Sequence, residues 1–187
     1  VGVGSTISSA EDSILELSNN KAKKGAGMYC EGTLNVDKLI LTNNMATGST
    51  EGGALYVSGG VEVKSIEASG NIANGITSCI FAKDSSGGNN TFRITGTLHI
   101  HDNKGYIEDD NTYYSSSAVY IEGYKVNIIN PKFEKNENSI ASLFLNGCYL
   151  MADGTPTLQG NSSENKGLFT QNYNKDAGQN YAGAIYV

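Results

Sequence analysis

Residues 54–57 read Ala54-Leu55-Tyr56-Val57, and the same order of small, apolar, aromatic, apolar recurs five more times along the chain. The other copies are Gly27-Met28-Tyr29-Cys30, Cys79-Ile80-Phe81-Ala82, Ala118-Val119-Tyr120-Ile121, Ser142-Leu143-Phe144-Leu145 and Ala184-Ile185-Tyr186-Val187. The first position is small in all six and the third is Tyr or Phe in all six. Gly or Asp stands three residues past the aromatic at Gly32, Gly59, Asp84, Gly123 and Gly147. Self-similarity at this period is the signature of stacked repeats, in which no single unit buries its apolar face alone.

A second module lies between these copies: an apolar or small residue, two variable residues, then Asn. It places Asn20, Asn44, Asn71, Asn103, Asn136 and Asn161 three residues after Leu17, Leu41, Ala68, Ile100, Phe133 and Leu158. From the small residue of the first module to the next of these Asn the offsets are 17, 17, 24, 18 and 19. The one long offset marks an insertion around Ser85 to Asn90. From each Asn to the next small residue they are 7, 10, 8, 15, 6 and 23. One arc of each repeat is therefore held in length, and the other varies.

Leu15-Glu16-Leu17, Val61-Glu62-Val63, Leu98-His99-Ile100 and Lys125-Val126-Asn127-Ile128 alternate or nearly alternate apolar and polar residues, the pattern of half-buried strands. No segment sustains helical apolar spacing over ten residues. Runs of three or four residues pair poorly alone, but stacked they form long parallel sheets around a continuous core. The fold expected is all-β: a single-stranded, right-handed parallel β-helix of about six coils with variable loop insertions, one domain over residues 1–187, in a rod roughly 25–30 Å long. The small positions are expected at crowded inward corners, the apolar and aromatic positions stacked on their equivalents about 4.8 Å away. The repeated Asn suits a turn in left-handed backbone, with its amide bonded to the same amide one coil on.

Gly52-Gly53-Ala54-Leu55, Ala182-Gly183-Ala184-Ile185 and Phe133-Glu134-Lys135-Asn136 resemble the repeats of the chlamydial polymorphic membrane proteins, autotransporter-type adhesins with a β-helical passenger. Degenerate copies cover essentially the whole chain. Most Phe positions here are Leu, Ile or Ala, and several Gly-Gly pairs are lost. The resemblance implies an adhesive passenger segment at the cell surface or outside the cell, anchored in an outer membrane through a separate C-terminal domain.

The 187 residues include 23 Gly but only 2 Pro, and the net charge is −6. A Gly-rich, Pro-poor chain suits many tight turns rather than a flexible linker. An acidic surface repels phosphate backbones, so nucleic acid is not an expected partner. Lys21, Lys23 and Lys24 form the densest basic stretch and read as a solvated turn. Cys30, Cys79 and Cys148 have no CxxC spacing; an odd count forbids complete internal pairing. The chain starts at Val1 without a secretory leader and contains no apolar run long enough for a membrane span, so it reads as a segment of a longer repeat-containing surface protein.

Catalytic chemistry has thin support. β-Helices also host polysaccharide-active enzymes, which need clustered carboxylates with a base, or calcium with an arginine. The adjacent acids Asp109-Asp110 fit either use and equally a solvated loop tip. His99 and His101 flank Ile100 and precede Asp102. Residues two apart on a strand share a face, so both rings point outward. They suit zinc or copper, but no third or fourth ligand is evident, and an exposed strand face is the expectation. No catalytic residue, metal or cofactor is assigned.

The remaining candidates lie in the variable arcs: Tyr106, Tyr113 and Tyr114 in one, Phe169, Tyr173 and Tyr181 in another. Exposed Tyr among Asn, Ser and Gly is paratope-like chemistry. The function expected is a non-catalytic surface module that contacts a cell-surface protein, a glycan or its own copies. A self-assembling structural filament is the alternative, and a polysaccharide-active enzyme the next.

Overall fold

In a computed structural model the chain is described over residues 1–48, 51–105, 117–138 and 141–148, and in short strands at 158–159, 168–170, 173–174 and 185–186. Twenty strands follow one another: β1 (Thr6–Ser8), β2 (Ile14–Ser18), β3 (Lys21–Ala22), β4 (Met28–Cys30), β5 (Thr33–Thr42), β6 (Met45–Ala46), β7 (Leu55–Val57), β8 (Val61–Ser69), β9 (Ile72–Ala73), β10 (Thr77–Lys83), β11 (Thr91–His101), β12 (Ser117–Glu122), β13 (Lys125–Ile129), β14 (Pro131–Glu134), β15 (Glu137–Asn138), β16 (Leu143–Asn146), β17 (Leu158–Gln159), β18 (Leu168–Thr170), β19 (Tyr173–Asn174) and β20 (Ile185–Tyr186). There is no helix among the described residues.

Among the described residues every strand pairing is parallel, and the sheets collect strands at repeat intervals. One sheet runs β1-β5-β8-β11-β13-β17, with β2 on β5, and β14 on β11 and β18. A second runs β4-β7-β10-β12-β16-β20. A third line begins with β3-β6-β9, continues through single bridges from Ile72 to Lys104 and from Lys104 to Glu137, and ends in β15-β19. The chain thus visits each sheet in turn and returns one strand further along.

The strands of the first sheet are longer than the short alternating runs suggest. β5, β8 and β11 have 10, 9 and 11 residues. β5 and β8 are each two alternating runs out of phase. In β8, Val61 and Val63 are buried, then Ile66 and Ala68; in β5, Leu34 and Val36, then Leu39 and Leu41. The phase slip turns both halves of the strand toward one core. β11 has one residue more between its two runs, so Phe92, Ile94, Leu98 and Ile100 keep one phase, and the pairing with β8 breaks register there. Gly96 occupies that break, where a Cβ would lie 2.7 Å from the Lys64 carbonyl oxygen.

The small first positions are crowded, as their recurrence suggests. Ala54, Cys79, Ala118 and Ser142 are fully buried. A Cβ at Gly27 would sit 3.2 Å from the Ala54 oxygen and 3.2 Å from the Leu17 Cβ. The loop after β10 wraps around Asp84, whose carboxylate accepts hydrogen bonds from Ser86 N and Oγ (both 2.7 Å), Gly88 N (2.8 Å), and Asn90 N (3.2 Å) and Nδ2 (2.8 Å). Burial raises the Asp84 pKa, but these donors outweigh it and leave the group below its ordinary value. Beneath the loop, fully buried Tyr124 meets Phe92 edge-on at 6.1 Å and donates its hydroxyl to the Gly59 oxygen at 2.7 Å. The insertion before Ser117 lies outside the described residues.

All three cysteines are free thiols. Cys30 and Cys79 are buried, and burial pushes both thiols up. No helix among the described residues is long and apolar enough to cross a membrane.

Candidate functional site

Two ladders occupy the positions that repeat. The first is made of asparagines and is fully satisfied in its middle. Asn44 Oδ1 accepts from Asn20 N (3.1 Å) and Asn20 Nδ2 (3.0 Å), while Asn44 Nδ2 donates to Leu17 O (2.8 Å) and Asn71 Oδ1 (3.1 Å). Asn71 repeats this with Leu41 O and Asn103 Oδ1, and Asn103 with Ala68 O and Asn136 Oδ1. The spacing of the second module follows from these bonds. The residue three before each asparagine offers the carbonyl that the next asparagine's amide reaches.

The left-handed backbone expected at these asparagines falls one residue earlier, at Asn19, Asn43, Gly70, Asp102 and Lys135, with φ between 53° and 64°. That turn frees the ladder residue to point inward; Asn44, Asn71, Asn103 and Asn136 are all buried. Asn161 lies outside the described residues. In that repeat the register sets Phe133 against Phe169 and Glu137 against Tyr173, while Leu158 pairs with Ile128. Counting three on from Phe169, as Asn136 lies three on from Phe133, reaches Asn172 rather than Asn161. The long insertion therefore falls between β17 and β18.

The second ladder is aromatic and lies on the side of its strands away from the main core cluster, with Tyr56 and Phe81 themselves buried. Tyr29, Tyr56, Phe81, Tyr120 and Phe144 stack nearly parallel, with successive centroids 4.5, 5.6, 5.2 and 5.1 Å apart. Strand alternation explains their direction: Leu55 and Val57 on either side of Tyr56 are buried inward. The backbone at Tyr186 continues the column, paired with Phe144, while Ala184 lies outside the described residues. Lys24 is not a plain solvated turn residue. Its ammonium lies 4.8 Å and 4.5 Å from the Tyr29 and Tyr56 ring centres and 3.0 Å from Glu51. Tyr120 donates to Glu122 at 2.6 Å; burial first, then that bond, pushes its hydroxyl up to about 12.

The expected contact residues fare differently. Tyr106, Tyr113, Tyr114 and Tyr181, and the acids Asp109-Asp110, lie outside the described residues. Phe169 and Tyr173 are in strands β18 and β19, paired with β14 and β15, so their backbone belongs to the ladders and not to a loop.

The remaining chemistry gathers around the histidine pair. Leu98 and Ile100 are buried, so His99 and His101 project from the outer face of β11, with ring centroids 4.5 Å apart. Parallel register sets Glu67 of β8 beside His99, and Glu134 of β14 beside His101. His99 Nε2 lies 2.7 Å from Glu134 Oε2, and His101 Nδ1 lies 2.7 Å from Asp102 Oδ2. Among the described residues, His99 Nδ1 and His101 Nε2 have no hydrogen-bond partner. Glu67 pairs with Lys38 at 3.3 Å. One nitrogen of each ring and one Glu67 oxygen lie within 4.8 Å of one another. A recess of about 100 Å³ opens here, lined by His99, His101, Asp102, Glu134 and Lys135. The sequence shows the two histidines and Asp102 but not Glu67 as a ligand. The signal for it is the equivalence of Ala68 and Ile100 in the second module, which makes the residues before them, Glu67 and His99, neighbours on one face.

No family model matches the chain, and no curated protein or solved structure matches it.

Proposed function

We propose that the chain is a non-catalytic extracellular surface module. Its parallel sheets close into a single-stranded, right-handed β-helix that carries variable arcs as the contact surface. Three sheets visited in rotation support the closure, and the strong preference of parallel crossovers for a right-handed path supports the hand. The observation that carries the functional reading is the division of labour within each repeat. Recurring positions are taken up by the asparagine and aromatic ladders, which are structural, while length varies in the arcs between them: from ladder asparagine to the next small residue, and at the insertions after β10 and between β17 and β18. The arc from Lys104 to Ser117, with Tyr106, Tyr113 and Tyr114, is the main contact candidate. The resemblance to chlamydial polymorphic membrane protein repeats supports the same reading, as an adhesin passenger at a cell surface.

The test is saturable binding of the labelled 187-residue chain to host-type cells and to a glycan array. Binding is expected to fall at least tenfold when residues 106–116 are replaced by a Gly/Ser segment of equal length, with the circular dichroism spectrum unchanged. Absence of binding to every cell type and glycan, with light scattering that shows only monomer, sinks the reading in both its adhesive and its self-associating form.

A further inference from the structure

We propose that Glu67, His99 and His101 form a binding site for a divalent first-row transition metal, with zinc as the simplest occupant, that clamps β8 to β11. Two imidazoles and one carboxylate are the donor set of open zinc sites, with the remaining position left to water or an outside ligand. Imidazole nitrogens favour zinc, copper and nickel over calcium and magnesium, which prefer all-oxygen sites. The three donors come from different parts of the sequence but from adjacent strands in fixed register, so the backbone delivers them together. Their donor atoms lie within 4.8 Å of one another. Zinc–nitrogen bonds of ~2.0–2.1 Å space ligands ~3.3–3.4 Å apart around a tetrahedron, so the side chains must close by up to about 1.5 Å. They are free to do so, because all three are partly solvent-exposed.

The surroundings are those of a ligand set rather than of a plain exposed face. Each ring has one nitrogen held by a carboxylate, His101 by Asp102 and His99 by Glu134, both at 2.7 Å. Such carboxylate–histidine pairs orient a ligating ring and raise the basicity of its other nitrogen. Asn103 Nδ2 donates to the His101 carbonyl at 2.9 Å, which ties the histidine strand to the buried ladder. Lys38 on Glu67 is the competing cation, and metal binding displaces it.

The chain has only 2 histidines, so proton NMR of their ring resonances during a zinc titration reads the site directly. Both sets of ring signals are expected to move together and to saturate at one zinc per chain. Zinc at a hundredfold excess over Kd is expected to raise Tm by roughly 5–10 °C. His99→Ala and His101→Ala are each expected to abolish the shift in Tm, and Glu67→Gln to weaken zinc at least tenfold. Cys148→Ser, which removes the one partly exposed thiol, is expected to change nothing. Ring signals that stay fixed at millimolar zinc, or move independently of each other, overturn the proposal. So does a zinc-dependent rise in Tm that survives both histidine substitutions or disappears with Cys148→Ser.

Discussion

A single ladder asparagine carries more stability than its size suggests, because its neighbours depend on it. Asn71 Oδ1 accepts from Asn44 N (2.9 Å) and Asn44 Nδ2 (3.1 Å), and its Nδ2 supplies Leu41 O (2.9 Å). Asn71→Ala takes away the partners of Asn44 N and Leu41 O, and leaves Asn44 Nδ2 with Leu17 O alone, in a region where Asn44 and Asn71 are 1% and 0% exposed. Each orphaned buried group costs about 1–3 kcal/mol. The expected loss is about 3–5 kcal/mol, read from the urea unfolding midpoint at constant slope. Asn20→Ala is the internal comparison: Asn20 is solvent-exposed and only donates to Asn44, so its loss should stay under about 1 kcal/mol. Equal losses for the two would mean that the ladder is not a cooperative device.

At the scale of the element, the turn that ends each outer strand has one residue in left-handed backbone, and the chain fills it unevenly. Asn19, Asn43, Gly70 and Asp102 are the types that accept this conformation readily; Lys135, at φ 53°, is not. Lys135 is exposed at the end of β14, so no packing is lost on changing it. Lys135→Asn is expected to raise stability by roughly 0.5–1 kcal/mol, seen as a higher Tm; an unchanged or lower Tm would show that this turn relaxes at no cost. The same turn explains how far the sequence could be read. The apolar-x-x-Asn spacing announced the ladder because the bonds run from one asparagine to the carbonyl three residues before its neighbour. It could not say which residue of the turn is left-handed, since Asn stands at both Asn43 and Asn44. Nor did the short alternating runs reveal strands as long as β5, β8 and β11. Their phase slips at Asp37–Lys38 and Lys64–Ser65 interrupt the period of two while the backbone pairing continues. Register also decided the last repeat, where Phe169 rather than Leu158 lies against Phe133. It decided the histidine cluster too: Glu67 is 32 residues from His99 in sequence but beside it on the sheet.

For the whole molecule, stacked repeats make stability a sum of local units and nearest-neighbour interfaces. The ends of such a stack should therefore open before its middle. β8 is paired along its length with β5 on one side and β11 on the other, and its inward residues Val61, Val63, Ile66 and Ala68 are at most 2% exposed. Among the described residues β2 pairs only with β5, and its Ile14 is 59% exposed. The inter-strand ion pairs do not even out this difference, because Lys38–Glu67 and Arg93–Glu62, at 3.3 Å and 3.7 Å, are solvent-exposed and each contributes about 1 kcal/mol or less. In the 187-residue chain, amide hydrogen exchange is expected to be slowest in β8 and the paired parts of β5 and β11. It should be at least ~100-fold faster in β2, since sub-global opening ranges from near zero up to the global free energy. Asn71→Ala should then lower protection on both sides of the altered rung while leaving the order of the strands unchanged. Uniform protection from β2 to β11, falling uniformly in the variant, would instead mean that the described sheets unfold as one cooperative block, and that the repeats, though separate in sequence, are not separate units of stability.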